Sequence, residues 1–210
     1  MVIRIVPIAL LLLASSIVFA QPVQWNFRTG WHTSSAQIID KSSSKKSPSN
    51  HLNGLSTALG IKVEFDNQLY FSPRVQYSLH GFELAGSKND PAVQYRLHYI
   101  EFPILLQLDF TKKNQGFFAS FGPSVGGAIT GSTTKEGQKS PLRFGMTQYN
   151  RINIDAMAQI GYGFRNGLSI DAAYTYGLTS ITNGDELPII RMAQLGLGLS
   201  YRFAGKSAQK

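Results

Sequence analysis

Apolar and polar residues alternate along most of this chain at a period of two. From Ile152 to Phe164 the even positions are Ile152, Ile154, Ala156, Ala158, Ile160, Tyr162 and Phe164, and the odd ones are Asn153, Asp155, Met157, Gln159, Gly161 and Gly163. Successive side chains of a β-strand point to opposite faces. The segment is therefore a two-faced strand, long enough to match the roughly 9–11 residues that cross a bilayer at a steep tilt. Arg165-Asn166-Gly167 follows at once, and Asn-Gly tolerates the positive φ angles of a tight hairpin turn. Beyond it Leu168, Ile170, Ala172, Tyr174, Tyr176 and Leu178 alternate with Ser169, Asp171, Ala173, Thr175, Gly177 and Thr179.

The same pattern predicts six further strands. Leu55–Phe65 is followed across Asp66-Asn67-Gln68 by a partner beginning at Leu69, in which Pro73 and a phase slip at Gly81-Phe82 suggest a bulge or irregular pairing. His98–Phe110 leads through a Thr111–Gly116 turn to Phe117–Ile129, whose small face carries Gly122, Gly126 and Gly127. Trp25–Thr33 opens the set and Arg191–Phe203 closes it, giving eight strands. The short links at Asp66–Gln68, Thr111–Gly116 and Arg165–Gly167 alternate with longer ones at Ser34–Asn53, Ala85–Val93, Gly131–Asn150 and Ile181–Pro188. Tight turns at one end and longer loops at the other are what an even-stranded transmembrane barrel shows. The expected fold is all-β, an eight-stranded antiparallel up-and-down transmembrane β-barrel. Ser42–Asn50 and Ser132–Ser140 are expected to be mobile loops.

The side on which the bulky residues fall separates a membrane barrel from a soluble one. A soluble barrel wants its bulky set inside, whereas here Gly, Ser, Gln and charges of both signs share one face and fit a narrow interior. Backbone groups in hydrocarbon must all be bonded internally, which requires the sheet to close. Trp25, Phe65, Phe71, Phe110, Phe117, Phe164, Tyr201 and Phe203 fall near strand ends and are expected to form a girdle at the short-turn side.

Composition agrees with interleaving. The 210 residues are 43% hydrophobic, yet the mean hydropathy is only −0.08, so apolar residues are spread between polar ones. The one long apolar block is Ile5–Leu13 behind Arg4, followed by Ala14, Ser15 and Ser16 and by Val18-Phe19-Ala20 at the expected cleavage positions. It reads as a secretory leader, so residues 1–20 are expected to be a signal peptide and residues 21–210 the barrel domain. With no Cys in the chain there are no disulfides, thiolate metal sites or Cys nucleophiles. The net charge of +8 falls to +7 once Arg4 leaves with the leader. An exported chain rarely meets nucleic acid, so anionic lipid or lipopolysaccharide is the expected partner of this charge and nucleic acid is not.

Several segments resemble a known family. Tyr99-Ile100-Glu101-Phe102-Pro103-Ile104-Leu105-Leu106, followed by Gly116-Phe117-Phe118 and Phe121-Gly122-Pro123, resembles the Glu-x-Pro strand of PorT-like outer-membrane β-barrel proteins. Asn153–Gly163 and Tyr174–Ile181 resemble the strands that follow it. The resemblance covers most of the mature chain and implies an integral protein of the cell outer membrane, with a part in protein secretion in one branch of the family. A terminal aromatic, here Phe203, would be read by barrel-assembly machinery during insertion.

The candidate chemistry is modest. Arg28, Lys62, Glu64, Arg74, Glu101, Asp155, Asp171 and Arg202, together with Asp109, fall on inward positions and are expected to form a structural ionic network in the lumen, each charge needing a partner to offset desolvation. Lys41, Lys45, Lys46, Lys135 and Lys139 lie in the longer loops and are candidates for lipid-phosphate contacts. Ser78, His80 and Glu83 could be cast as a hydrolytic set, but two of the three stand only two apart on one strand and no oxyanion site is visible. The four His lack a metal-ligand spacing, and no cofactor is implied. The expected role is a non-catalytic structural, interaction or secretion-associated one; the alternatives are an outer-membrane lipid-modifying enzyme and a soluble lipocalin-like periplasmic carrier.

Overall fold

The computed structural model describes residues 23–41, 44–86, 90–111, 115–145, 149–183 and 187–203; the expected leader with its cleavage site and the tail Ala204–Lys210 lie outside them. Eight long strands follow in chain order: β1 (Val23–Ile39), β3 (Asn50–Asp66), β4 (Leu69–Leu84), β5 (Val93–Asp109), β6 (Gly116–Lys135), β8 (Ile152–Gly163), β9 (Leu168–Gly177) and β10 (Ile189–Arg202). Two short strands, β2 (Lys46–Pro48) and β7 (Gln138–Pro141), extend β1 and β6 beyond them. There is no helix among the described residues. Each long strand pairs antiparallel with the next, and β10 returns to β1 from Asn26↔Arg202 to Ile39↔Ile189. The sheet is a closed barrel of eight strands, with no open edge between β1 and β10.

Alternation decides which face looks where. On β8 the even residues are exposed while Asn153, Asp155, Met157 and Gln159 are buried. Phe117 and Ile160 are each 67% exposed. Among the described residues, thirty large apolar or aromatic side chains are exposed in this way. Burying each fully is worth about 1.5–3 kcal/mol, so leaving them in water would forgo more than a domain's whole stability of about 5–15 kcal/mol. The outer face therefore belongs in hydrocarbon. From Phe117 to Ile129 the outward set covers twelve steps, which at about 3.3 Å each and a tilt near 40° make a band about 30 Å tall. The aromatic residues expected as a girdle are all exposed, with Phe117, Tyr162 and Phe164 edge to face in sequence at 5.1 Å and Tyr201 against Phe203 at 5.5 Å.

The turns explain the closure at one end. At Arg165-Asn166-Gly167 the glycine has φ 88°, and Gly167 donates its N–H to the Phe164 carbonyl. At the other end the strands outrun the expectation. Ser132–Ser140 contains no mobile loop: β6 and β7 pair from Ser132↔Pro141 to Lys135↔Gln138 around Glu136 and Gly137, both with positive φ. Within Ser42–Asn50, β2 pairs with Gln37–Ile39. Ser, Lys and Gly composition cannot distinguish a solvated hairpin from a loop, because both faces of such a hairpin meet water. The phase slip read at Gly81-Phe82 corresponds to an extra residue on the facing strand, between His51 and Ser56. At Pro73, which brings no N–H to the ladder, the β3–β4 ladder passes from Gly60↔Arg74 to Val63↔Phe71 with no pair between them.

Candidate functional site

The lumen is the only enclosed space the described strands create, and it is filled in layers. Nearest the short turns, the Lys62 ammonium lies 2.6 Å from Asp109 Oδ2 and 3.9 Å above the Tyr70 ring. Asp109 Oδ1 accepts a hydrogen bond from Gln107 Nε2 at 2.7 Å. One layer further in, Arg28 grips Asp171 through two parallel bonds, Nε to Oδ1 at 3.0 Å and Nη2 to Oδ2 at 2.6 Å, from strands 143 residues apart in the chain. Asp171 also accepts from Gln159 Nε2 at 3.2 Å. Gly198 makes room for this pair, since a Cβ there would stand 2.3 Å from Arg28 Nη2. Arg74 donates from Nη1 to Gln159 Oε1 at 3.1 Å and from Nη2 towards Met157 Sδ at 2.9 Å.

The middle layer is built on amides and imidazoles. Glu101 accepts from Gln76 Nε2 at 2.8 Å and lies 3.0 Å from His80 Nε2. Gln194 reaches His80 at 3.2 Å, and His32 donates to the Leu79 carbonyl at 3.0 Å. Asp155 accepts from Asn153 Nδ2 at 2.7 Å, and Asn153 accepts in turn from Thr179 Oγ1 at 3.0 Å. Above these groups the lumen becomes apolar. Phe82, Leu97, Tyr99, Ile181, Ile190 and Met192, with Ala36 and Ala128, form a fully buried cluster at the long-loop mouth. The Phe82 and Tyr95 rings stack at 4.7 Å and 6°, and Leu142 and Phe144 pack against the cluster from a long loop.

The sequence-derived candidates distribute as follows. Arg28, Lys62, Arg74, Glu101, Asp155 and Asp171 are buried and face the lumen, and Arg202 is half-buried at the short-turn mouth. Glu64 stands exposed at that mouth, where its carboxylate accepts a hydrogen bond from the Tyr70 hydroxyl beside Lys62. There the β3–β4 register shifts between Glu64 and Asp66 and the barrel opens to solvent. Lys41, Lys45, Lys46, Lys135 and Lys139 are all exposed at the long-loop end, where Lys135 lies 3.5 Å from Asp90. Gln76, Gln159, Gln194 and Asn153, which bridge the charges, were not singled out from the sequence. Neither was the apolar cluster. Its signal was present: Tyr95, Leu97 and Tyr99 on β5, and Ile190 and Met192 on β10, place apolar groups on the inward phase at the long-loop ends of their strands.

The hydrolytic set comes apart. Ser78 Oγ is 2.9 Å from His80 Nε2, the same ring nitrogen that faces Glu101, and Ser78 and His80 are both 0% exposed. A nucleophile relay needs the hydroxyl and the carboxylate on opposite ring nitrogens. Glu83 lies on the outer surface, where its carboxylate accepts hydrogen bonds from Asn50 and Gln94. Among the described residues no group of three or more His, Cys, Asp or Glu is placed to hold a metal ion.

Comparison with known proteins bears on this architecture. A family model described as outer membrane protein beta-barrel domain matches residues 19–183. Among solved structures, the chain is similar to Neisserial surface protein A (NspA) at 15% identity and a TM-score of 0.52, covering 84% of this chain and 97% of that one. OprG of Pseudomonas aeruginosa matches at 11% identity and a TM-score of 0.47, covering 88% and 98%. The outer membrane enzyme PagL matches at 13% identity and a TM-score of 0.39, covering 81% and 98%. The NspA likeness establishes the fold alone. A search of curated protein sequences returned no match.

Proposed function

The chain belongs to the outer membrane protein beta-barrel domain family, and we propose that within the outer membrane it is a closed, non-catalytic barrel that works as an interaction anchor through its long-loop end. Short turns face the periplasm and longer loops the exterior in such barrels, so the β1–β2 and β6–β7 hairpins are the outward elements. The observation that carries the reading is the filling of the lumen: paired charges and amides occupy its lower and middle layers, and the Phe82 cluster seals the outer mouth. A pore needs a continuous wet path, and an exposed catalytic site needs an accessible nucleophile. Ser78, buried beneath the seal, supplies neither.

The exposed lysines Lys41, Lys45, Lys46, Lys135 and Lys139 ring the outer end. Their chemistry suits lipid phosphates of the anionic outer leaflet or lipopolysaccharide, each contributing about 1 kcal/mol near such a surface. The likeness of the Glu101-x-Pro103 strand to PorT-like barrels supports a secretion-associated partner as the finer reading. The test is reconstitution. The refolded protein in planar bilayers should show no unitary conductance and release no fatty acid from phospholipid or lipid A. Replacing the five lysines by Gln should weaken retention on lipopolysaccharide vesicles. Discrete conductance steps, or lipid hydrolysis lost on His80→Ala substitution, would overturn the proposal.

A further inference from the structure

Pro73, Pro103 and Pro123 stand side by side in the wall of the barrel. Pro73 on β4 pairs with Ile104 on β5, Pro103 immediately precedes that isoleucine, and Pro123 on β6 stands opposite it in the register that runs from Pro103↔Ser124 to Leu106↔Phe121. A proline brings no N–H to a ladder and is normally confined to sheet edges, and a closed barrel has no edge. Three adjacent ladders are accordingly interrupted at this height. No pair forms between Ile61-Lys62 and Ser72-Pro73, between Arg74-Val75 and Phe102-Pro103, or between Ile104-Leu105 and Gly122-Pro123. The β6–β8 ladder beyond them, which includes Pro123↔Ala156, runs on without a break.

The interruption leaves a dent in the outer face. A groove of about 350 Å³ lies there, inside the range of about 300–1,000 Å³ found for small-molecule sites. Its walls are two outward rows: Ile61, Pro73 and Ile104 nearer the short turns, and Leu59, Val75 and Phe102 above them. The missing rungs between Ile61 and Pro73 and between Val75 and Phe102 belong to these rows, so the groove opens where the strands are not tied together. Trp25 on β1, paired with Ile61, closes one end. Gly60, Arg74 and Pro103 form the floor although all three are buried on the inward phase, and Arg74 sends its guanidinium the other way, to Gln159 in the lumen. From β1 to β5 the groove crosses three strand spacings, about 14 Å, and it is two rows, roughly 7 Å, high. A long, narrow, apolar trough of that shape takes a straight hydrocarbon chain.

We propose that this groove is a binding site for one straight acyl chain of a membrane phospholipid. The outer face lies in hydrocarbon, so acyl chains are the molecules that meet the groove. A chain seated in it touches two walls and a floor, whereas on the convex remainder of the barrel it touches one side, and dispersion contacts grow with the number of atoms met. The groove stands four or five residues above the Asp66–Leu69 turn, about 10 Å along the membrane normal. With the short turns at the periplasm, the chain comes from the periplasmic leaflet. That choice of leaflet rests on the orientation proposed above; binding itself does not.

The probe is phosphatidylcholine brominated at mid-chain, diluted into symmetric bilayers of branched-chain diphytanoyl phosphatidylcholine that hold the refolded full-length protein. Bromine quenches tryptophan on contact, and Trp25 lines the groove while Trp31 faces lipid elsewhere. In a Trp31→Phe protein, quenching of Trp25 should saturate at low mole fraction of the probe, at one site per barrel. In a Trp25→Phe protein, quenching of Trp31 should rise in proportion to the probe. Val75→Phe and Leu59→Phe, each in the Trp31→Phe background, fill the groove and should weaken the saturable part about tenfold or more. Pro73→Ala gives the ladder its missing N–H, draws β3 and β4 together and should weaken it likewise. Ile160→Phe, lipid-facing on β8 and away from the groove, should leave it unchanged. Trp25 quenching that only tracks the mole fraction, or a saturable part indifferent to the filling and ladder-restoring variants, would overturn the assignment. Because the two leaflets are alike, an inverted orientation of the barrel would leave the result as it is.

Discussion

Replacing Asp171 by Leu should reveal what the lumen charges contribute. Asp171 and Arg28 have side chains only 3% and 7% exposed and meet through two bonds of 2.6 and 3.0 Å. Removing one partner of a buried pair leaves an uncompensated charge, at a cost of about 3–5 kcal/mol. A cavity of about 70 Å³ lined by both residues has room for water, which places the expected loss near the lower end, about 3 kcal/mol. Arg28→Met alone should cost a similar amount. The double variant Arg28→Met/Asp171→Leu removes both charges and keeps the volume, so it should lose less than either single change, with a coupling of about 2 kcal/mol or more. The assay is urea unfolding from phospholipid vesicles, followed by fluorescence of Trp25 and Trp31, the two tryptophans of the chain. Both face the hydrocarbon and report its loss. Single losses below about 1 kcal/mol, the range of solvated ion pairs, or a double variant that loses the sum of the two, would refute the claim that the lumen is dry enough for charge pairing to matter.

Other consequences can be measured alongside. Gly198→Ala should cost about 1–3 kcal/mol because its methyl displaces the Arg28 guanidinium, and in an Arg28→Met background the penalty should shrink, as the same unfolding titration would show. Phe82→Ala, which empties a 0%-exposed site stacked on Tyr95, should cost about 3–5 kcal/mol while planar-bilayer recordings stay silent, since the charged layers below remain. Ala158→Arg, on the outward face near mid-height of β8, should cost about 2–4 kcal/mol in vesicles, whereas Glu136→Arg in the exposed β6–β7 turn should cost less than about 0.5 kcal/mol.

The parts of this fold that could be read from the chain are those set by period and turn chemistry. Ile152–Phe164 and Leu168–Leu178 could be placed as a hairpin because one face must be greasy throughout and Asn166-Gly167 can only turn. Inward placement of Arg28, Asp171, Lys62 and Asp109 followed from the same phase. The pairing did not follow, because Arg28 and Asp171 meet only through the register of β10 with β1 and β9, which no local pattern specifies. Phase gives direction but not depth, so the exposure of Glu64 at the mouth, where it meets Tyr70, could not be read from the chain. The β7 and β2 extensions were unreadable for a related reason: a strand wet on both faces has no alternation to show.

The account rests on which way β8 faces, and the absence of Cys allows that to be measured directly. Single cysteines placed in turn from Ile152 to Phe164, spin-labelled in reconstituted bilayers, report access to lipid-soluble oxygen against a water-soluble nickel chelate. The even positions should show high oxygen access rising towards Ala156 and Ala158, and Asn153, Asp155, Met157 and Gln159 should be shielded from oxygen. Oxygen access at the odd positions, or no alternation along the strand, would contradict a barrel that wears its apolar face outward.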